Sequence, residues 1–201
     1  MTIYDLKPAF QNLLRPVCKG LANAGITANQ VTVAALVISL LVGGLFAAFP
    51  TSAWAAYLIP VWLFLRMALN AIDGMLAREH DMQSDLGGLL NEIGDVVSDT
   101  ALYLPFALVP GLSPELVIFV VVLSIFTEMA GVVAVQIGAS RRYDGPMGKS
   151  DRAFVFGLLA LLLGLSVEII WWMNVALAVV ALLTAWTVIN RCRKALAEIR
   201  A

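Results

Sequence analysis

The chain has 201 residues, of which 61% are hydrophobic and only 13% charged, and its mean hydropathy is +0.89. Those values exclude a soluble domain and describe a polytopic membrane protein, with no reason to expect a nucleic-acid partner. The formal net charge of −1 says little as a sum, because where the charges fall matters more.

Residues 1–24 read as an N-terminal amphipathic interfacial helix. Over 2–24, Ile3, Leu6, Phe10, Leu13, Leu14, Val17 and Leu21 recur at helical spacing, while Asp5, Lys7, Gln11, Arg15 and Lys19 fill polar positions. Pro8 and Pro16 are expected to kink or interrupt it. No cleavable leader is expected before the first span. Thr27 is placed to cap that span, and Asn29 and Thr32 follow in its first turn. The spans are expected at about 31–49, 54–78, 86–109, 116–140, 153–167 and 169–189, with Pro105 as a kink in the third. Residues 1–201 thus form a single all-α membrane-embedded domain of six transmembrane helices, with both termini on one side.

Orientation follows from the basic residues. Lys7, Arg15, Lys19, Arg78, Arg141, Arg142, Lys149, Arg152, Arg191, Arg193, Lys194 and Arg200 all fall on one side of this topology, leaving only Arg66 inside a span. The positive-inside rule makes that side cytoplasmic. Cys18 and Cys192 are isolated near that face, so no disulfide is expected.

The chemistry concentrates from Arg66 to Asp99. Arg66, Asn70, Asp73, Asn91, Glu92, Asp95 and Asp99 fall in two neighbouring apolar segments joined by a polar turn near Met82. Polar groups inside a membrane are costly and mark function by default. In an antiparallel hairpin about Met82, Asp73 lies level with Asn91 and Asn70 with Asp95. Asn70 and Asp73 are spaced i, i+3, and Asn91, Asp95 and Asp99 i, i+4, i+8, so each set forms one stripe. Gly74, Ala77, Gly87 and Gly88 allow the helices to approach closely. Carboxylates with amide oxygens suit Mg²⁺ or Mn²⁺, which keep positions open for phosphate oxygens. Arg78, at the mouth, offers a fork-shaped phosphate partner. The competing explanation is an ion-paired network that only holds the helices together. Glu128, in the fourth span, needs a partner, for which Arg66 is the candidate.

The stretch resembles the CDP-alcohol phosphotransferase (phosphatidyltransferase) family, whose signature is D-x2-D-G-x2-A-R-x8-G-x3-D-x3-D. The same spacing here reads Asn70, Asp73, Gly74, Ala77, Arg78, Gly87, Asn91 and Asp95, so six of eight positions match and both departures are Asn for Asp. The resemblance covers nearly the whole chain, and the Asn pattern is similar to one bacterial branch of the family. It implies that Asn70, Asp73, Asn91 and Asp95 are metal ligands for Mg²⁺ or Mn²⁺ and that Asp95 is the catalytic base. It implies CDP contacts from Asn29, Asp73, Gly74, Ala77, Arg78 and Gly87. Lys149, in a Gly-Lys pair, would bind phosphate or acceptor with Arg152 and Arg191. An Asn oxygen ligates but brings no charge.

The expected function is transfer of a phosphatidyl group from a CDP-alcohol, CDP-diacylglycerol above all, to an acceptor alcohol with release of CMP. A homodimer in the bacterial inner membrane is expected. Two other classes stay open: a non-catalytic homologue that binds CDP-lipid, and an ion or proton pathway through Asp73, Asp95, Asp99 and Glu128.

Overall fold

A computed structural model describes residues 3–168 and 171–200. The described residues form seven α-helices and one 3₁₀ turn. These are α1 (Ile3–Asn23), α2 (Ala28–Ala48), α3 (Ala53–Glu79), α4 (Asp85–Tyr103), α5 (Pro114–Gln136), α6 (Lys149–Gly164) and α7 (Trp171–Glu198), with the 3₁₀ turn Leu104–Leu108 after α4. The expected starts at residues 2 and 169 lie outside the described residues.

Local chemistry sets the helix ends. Thr27 and Gln30 form a reciprocal capping box at α2, the Thr27 hydroxyl accepting from Gln30 N at 3.3 Å and Thr27 N donating to Gln30 Oε1 at 2.9 Å. The Ser84 hydroxyl accepts from Gly87 N at 3.0 Å and starts α4. Ser113 caps α5 with Pro114 in its first turn. Gly138, at φ +87°, stops α5 short of the expected Ser140. Asp151 reaches back to Gly148 N at 2.9 Å, so α6 begins at Lys149, four residues before the expected start. The Gly148–Lys149 pair is therefore a helix start rather than free loop.

Two proline expectations need correction. Helix α1 is continuous through Pro8 and Pro16, so neither interrupts it; each proline removes one backbone bond and the bonds on either side carry the helix past it. Pro105 ends α4 rather than kinking it. It has no N–H for the Ala101 carbonyl, and the chain tightens into the 3₁₀ turn. That carbonyl lies against Gly43 of α2, where a Cβ would come within 2.7 Å of the Ala101 carbonyl carbon.

Helix α2 packs on α3 and α4, α3 on α6 and α1, and α5 on α7. An aromatic column ties the centre together. Tyr103 stacks on Phe156 at 4.2 Å, Phe106 meets Phe156 edge-on at 5.1 Å, and Phe46 meets Phe106 at 5.0 Å. Helix α1 lays Leu14, Cys18 and Leu21 against Ile72, Met75 and Leu76 near the C-terminal end of α3. Outward faces are apolar: Leu41, Phe64, Leu65, Phe119, Leu182 and Trp186 are exposed. That is the reverse of a soluble surface and matches a lipid solvent.

Among the described residues, four helices are long and apolar enough to cross a membrane: α2, α3, α5 and α7. The 16 residues of α6 are too few for that criterion, and α4 carries Asp85, Glu92, Asp95 and Asp99. The protein is thus a multi-pass, all-helical membrane protein.

Candidate active site

Helices α3 and α4 run antiparallel about the turn at 80–84, joined by side chains rather than by close packing. The close approach expected from Gly74, Ala77, Gly87 and Gly88 is not made: α2 packs on both helices, Gly87 faces Asn29 of α2, and a Cβ on Gly88 would meet nothing within 4 Å. The register is the expected one where a contact reports it. Asn70 Nδ2 donates to Asp95 Oδ1 at 3.3 Å. Asp73 is buried, and its Oδ2 accepts from the Thr32 hydroxyl of α2 at 2.9 Å. Asn91 is exposed on α4, one turn nearer the mouth than Asp95.

Around the mouth, Asn29 Nδ2 donates to the Ser84 hydroxyl at 3.3 Å. A Cβ on Gly87 would meet Asn29 Oδ1 at 2.7 Å, so the glycine makes room for that amide. Arg78 is exposed, and its guanidinium folds back over Gly74, where a Cβ would sit 3.1 Å from Nη2. Ala77 packs against the cluster that joins α1 to α3. Of these residues the structure brings Asn29, Ser84 and Gly87 together and sets Arg78 over Gly74.

The basic residues are placed differently from expectation. Arg66 does not pair with Glu128. It is buried against α4, with Nη1 at 2.5 Å from Asp99 Oδ1 and Nη2 at 3.1 Å from Asp95 Oδ1. The physical reason is register: counting outward from Met82 pairs Arg66 with Asp99 to within one residue, as it pairs Asn70 with Asp95. Glu128 instead takes Arg152 at 2.9 Å, Arg141 at 3.2 Å and Arg191 at 3.4 Å. Arg152 and Arg191 are both buried, below the mouth where the loop was expected to hold Arg152. Arg191 also donates to the Thr127 carbonyl. Gly131 makes this crowding possible, since a Cβ there would lie 2.5 Å from Arg141 Nη1 and 3.3 Å from Arg191 Nη1.

Lys149 is the basic residue that reaches the site itself. Its Nζ lies 2.5 Å from Asp95 Oδ1, so that oxygen faces Lys149, Arg66 and Asn70 together. Arg141 forks onto Glu92, with Nε–Oε1 at 2.5 Å and Nη2–Oε2 at 2.6 Å. Above these pairs, Asp144 holds Arg142 at 2.7 Å and Lys194 at 2.9 Å. Burial pushes the Asp144 carboxyl up, but the hydrogen bonds from Lys194 and Arg142 outweigh it and hold the pKa below the ordinary value.

A groove of about 500 Å³ runs between α3 and α6. Its polar end is Arg66, Asn70 and Lys149, and its walls are apolar, among them Phe64, Leu158 and Leu161. One flank of the site is therefore built for a molecule with a charged head and an apolar tail.

Among the described residues no three His, Cys, Asp or Glu side chains converge as a closed metal cage would need. Asp73, Asp95 and the amides of Asn70 and Asn91 carry hard oxygens, of which the structure joins Asn70 to Asp95 and leaves Asn91 exposed one turn nearer the mouth. Asn70 spends its NH₂ on Asp95, which leaves its carbonyl oxygen for a cation. The set fits Mg²⁺ or Mn²⁺ with remaining positions filled by water or phosphate oxygens.

Comparison with known proteins agrees with this geometry. The CDP-alcohol phosphatidyltransferase family model matches residues 25–193. The chain is 48% identical over 198 residues to the inner membrane protein YnbA of Escherichia coli (strain K12), covering 98% of this chain and 97% of YnbA. The fold is similar to that of Mycobacterium tuberculosis phosphatidylinositol phosphate synthase solved with CDP-DAG, with TM-score 0.74 and 17% identity over 90% of this chain and 92% of that one. The same enzyme in complex with manganese and citrate gives 0.75 and 18% over 90% and 88%. The chain belongs to the CDP-alcohol phosphatidyltransferase family.

Proposed function

We propose that the protein transfers the phosphatidyl group of CDP-diacylglycerol to an acceptor alcohol and releases CMP. The observation that carries this is the contact of Asn70 on α3 with Asp95 on α4 beside an amphipathic groove whose polar end is Arg66, Asn70 and Lys149. The CDP-DAG complex of the mycobacterial relative supports the choice of donor.

Each residue then has a task. Asp73, Asp95, Asn70 and Asn91 would hold Mg²⁺ or Mn²⁺. When bound, the ion neutralises charge on the transferring phosphate and on the leaving CMP. Asn29, Gly74, Ala77, Arg78 and Gly87 line the opening for the CDP moiety, with Arg78 forking onto phosphate. The acceptor oxygen attacks the phosphatidyl phosphorus, the bond from that phosphorus to the CMP oxygen breaks, and Asp95 takes the acceptor's proton. Lys149 stands beside Asp95 to meet phosphate charge. Arg152 and Arg191 act from behind, fixing Glu128 and the walls of the acceptor side.

We further read α2 to α7 as six spans, with α1 lying in the interface and both termini cytoplasmic. The basic residues outside the spans support that orientation. Asp95, Asp99 and Glu92 of α4 are tolerable inside a span because Arg66, Lys149 and Arg141 pair them within the bundle. A homodimer in the inner membrane completes the reading.

The test is CMP release from radiolabelled CDP-diacylglycerol by purified wild type and Asp95→Asn across a panel of acceptor alcohols. Turnover by the wild type and none by Asp95→Asn, with the variant still folded and the loss surviving at saturating CDP-diacylglycerol and metal, is the expected result. CDP binding without turnover in the wild type would favour a non-catalytic homologue. Ion flux unaffected by nucleotide would favour a conduction pathway.

A further inference from the structure

We infer that the acceptor alcohol is uncharged, and that Glu92 sets this specificity by occupying the place an anionic acceptor would need. The inference rests on the transferase reading only in calling the alcohol an acceptor; the charge pairing stands without it.

Glu92 and Asp95 are spaced i, i+3 on α4, so an alcohol offered to Asp95 lies beside Glu92. The cations that could receive an acceptor phosphate are Arg141, Lys149, Arg152 and Arg191. Each already meets a carboxylate. Arg141 is forked onto Glu92 at 2.5 and 2.6 Å, which is the two-bond geometry that an arginine offers a phosphate. Lys149 lies on Asp95 at 2.5 Å. Arg152 lies on Glu128 at 2.9 Å and near Asp99 at 3.7 Å, and Arg191 lies on Glu128 at 3.4 Å.

With Arg66 included, five cations face the four carboxylates Glu92, Asp95, Asp99 and Glu128. The neighbouring group is balanced, Arg142 and Lys194 against Asp144 and Glu198. The one surplus positive charge in the first group is offset by Asp73, a fifth carboxylate buried one helix turn from Asn70 on the same stripe. A phosphorylated acceptor brings about two negative charges. To dock, it would have to displace Glu92 from Arg141 and leave that carboxylate unpaired in a site where it is less than a third exposed. A neutral polyol faces no such cost. It can donate to Glu92 and accept from Arg141 while the fork stays closed.

The experiment uses wild type and Glu92→Gln in nanodiscs and has two arms. The first measures binding of glycerol 3-phosphate and of inorganic phosphate by calorimetry. Wild type should bind neither measurably, and Glu92→Gln should bind glycerol 3-phosphate at least about tenfold more tightly, because one charge-assisted fork is freed. The second measures CMP release from CDP-diacylglycerol with glycerol against glycerol 3-phosphate. Wild type should prefer glycerol, and Glu92→Gln should narrow or invert the preference. Tight binding or efficient use of glycerol 3-phosphate by wild type overturns the inference, whether or not the variant folds. No CMP release from either protein with any acceptor would remove the transferase reading, and the binding arm would still decide the charge exclusion.

Discussion

Gly43 and Gly44 are adjacent in α2 and should respond oppositely to the same substitution. Gly43 is buried against α4, and a Cβ there would sit 2.7 Å from the Ala101 carbonyl carbon. Gly44 is exposed, and a Cβ there meets nothing within 4 Å. The Ala101 carbonyl oxygen lies closer still and sets the limit, so Gly43→Ala requires α2 and α4 to separate by roughly 1 Å. Overpacking of this kind costs about 1–3 kcal/mol. The Ala101 carbonyl, which Pro105 cannot serve, would also lose its close approach to the Gly43 backbone, a contact worth about 0.5–1 kcal/mol. Together these predict a loss of about 2–4 kcal/mol and, at about 3 °C per kcal/mol for a chain this size, a drop in Tm of roughly 6–12 °C. Gly44→Ala should leave Tm unchanged or raise it slightly, because alanine is the better helix former. Tryptophan fluorescence on heating in detergent measures both. Calorimetric titration of CDP should show weaker binding in Gly43→Ala, since α2 carries Thr32 and α4 carries Asp95. Equal melting temperatures in the two variants would refute the close packing of α2 on α4.

Arg78→Ala should weaken CDP-lipid binding by about tenfold or more, with partial rescue by Arg78→Lys, which keeps charge but loses the fork; wild-type affinity in Arg78→Ala would remove it from the donor site. The double variant Asn70→Asp, Asn91→Asp should tighten Mg²⁺ or Mn²⁺ binding in the presence of CDP, because ligand charge sets much of a hard cation's affinity; calorimetry showing equal or weaker affinity would take both amides out of the coordination shell. Asp144 titrates below the ordinary 3.8 in the folded protein, so its contribution is fully present above that pH and is lost as pH falls through the depressed value. The stability gap between wild type and Asp144→Asn, followed by thermal melting, should therefore be constant above about pH 5 and close only in stronger acid; a gap that grows on acidification would contradict the assigned sign.

The hairpin was legible because its register is fixed by counting. One turn, two stripes and a rise per residue place Asn70 beside Asp95, and that contact is present at 3.3 Å. The same count pairs Arg66 with Asp99, yet Glu128 looked like the lonelier charge and drew the assignment away. What counting cannot reach is contact between elements far apart in sequence. The Glu128 cluster joins α5, the loop after it, α6 and α7. Nothing in the spacing of Arg141, Arg152 and Arg191 says that they converge on one carboxylate. Gly131 was a possible signal, a glycine within a continuous apolar helix, which is a place where something bulky approaches. Thr32 on Asp73 was similarly out of reach, because it depends on how α2 crosses α3.

Asn70 and Lys149 meet at one carboxylate, Asp95. A carboxylate at position 70 would face Asp95 across the distance that the Asn70 amide now spans with a hydrogen bond. Two carboxylates that close repel unless a cation stands between them. With asparagine there, the repulsion is gone and Asp95 is free to take an ammonium and a guanidinium, from Lys149 at 2.5 Å and Arg66 at 3.1 Å. Positive charge that a metal would otherwise supply is thus partly covalent to the chain at this end of the site. On the proposed coordination, metal binding would compete with Lys149 for Asp95 more than for Asp73, whose Oδ2 accepts from the neutral Thr32 hydroxyl. The amide positions and the lysine should accordingly couple. Lys149→Met should tighten divalent binding in the wild-type background, and it should do less in the double aspartate variant, where the added carboxylates already draw the metal in. Additive effects from the lysine and the two asparagines would mean that they act independently.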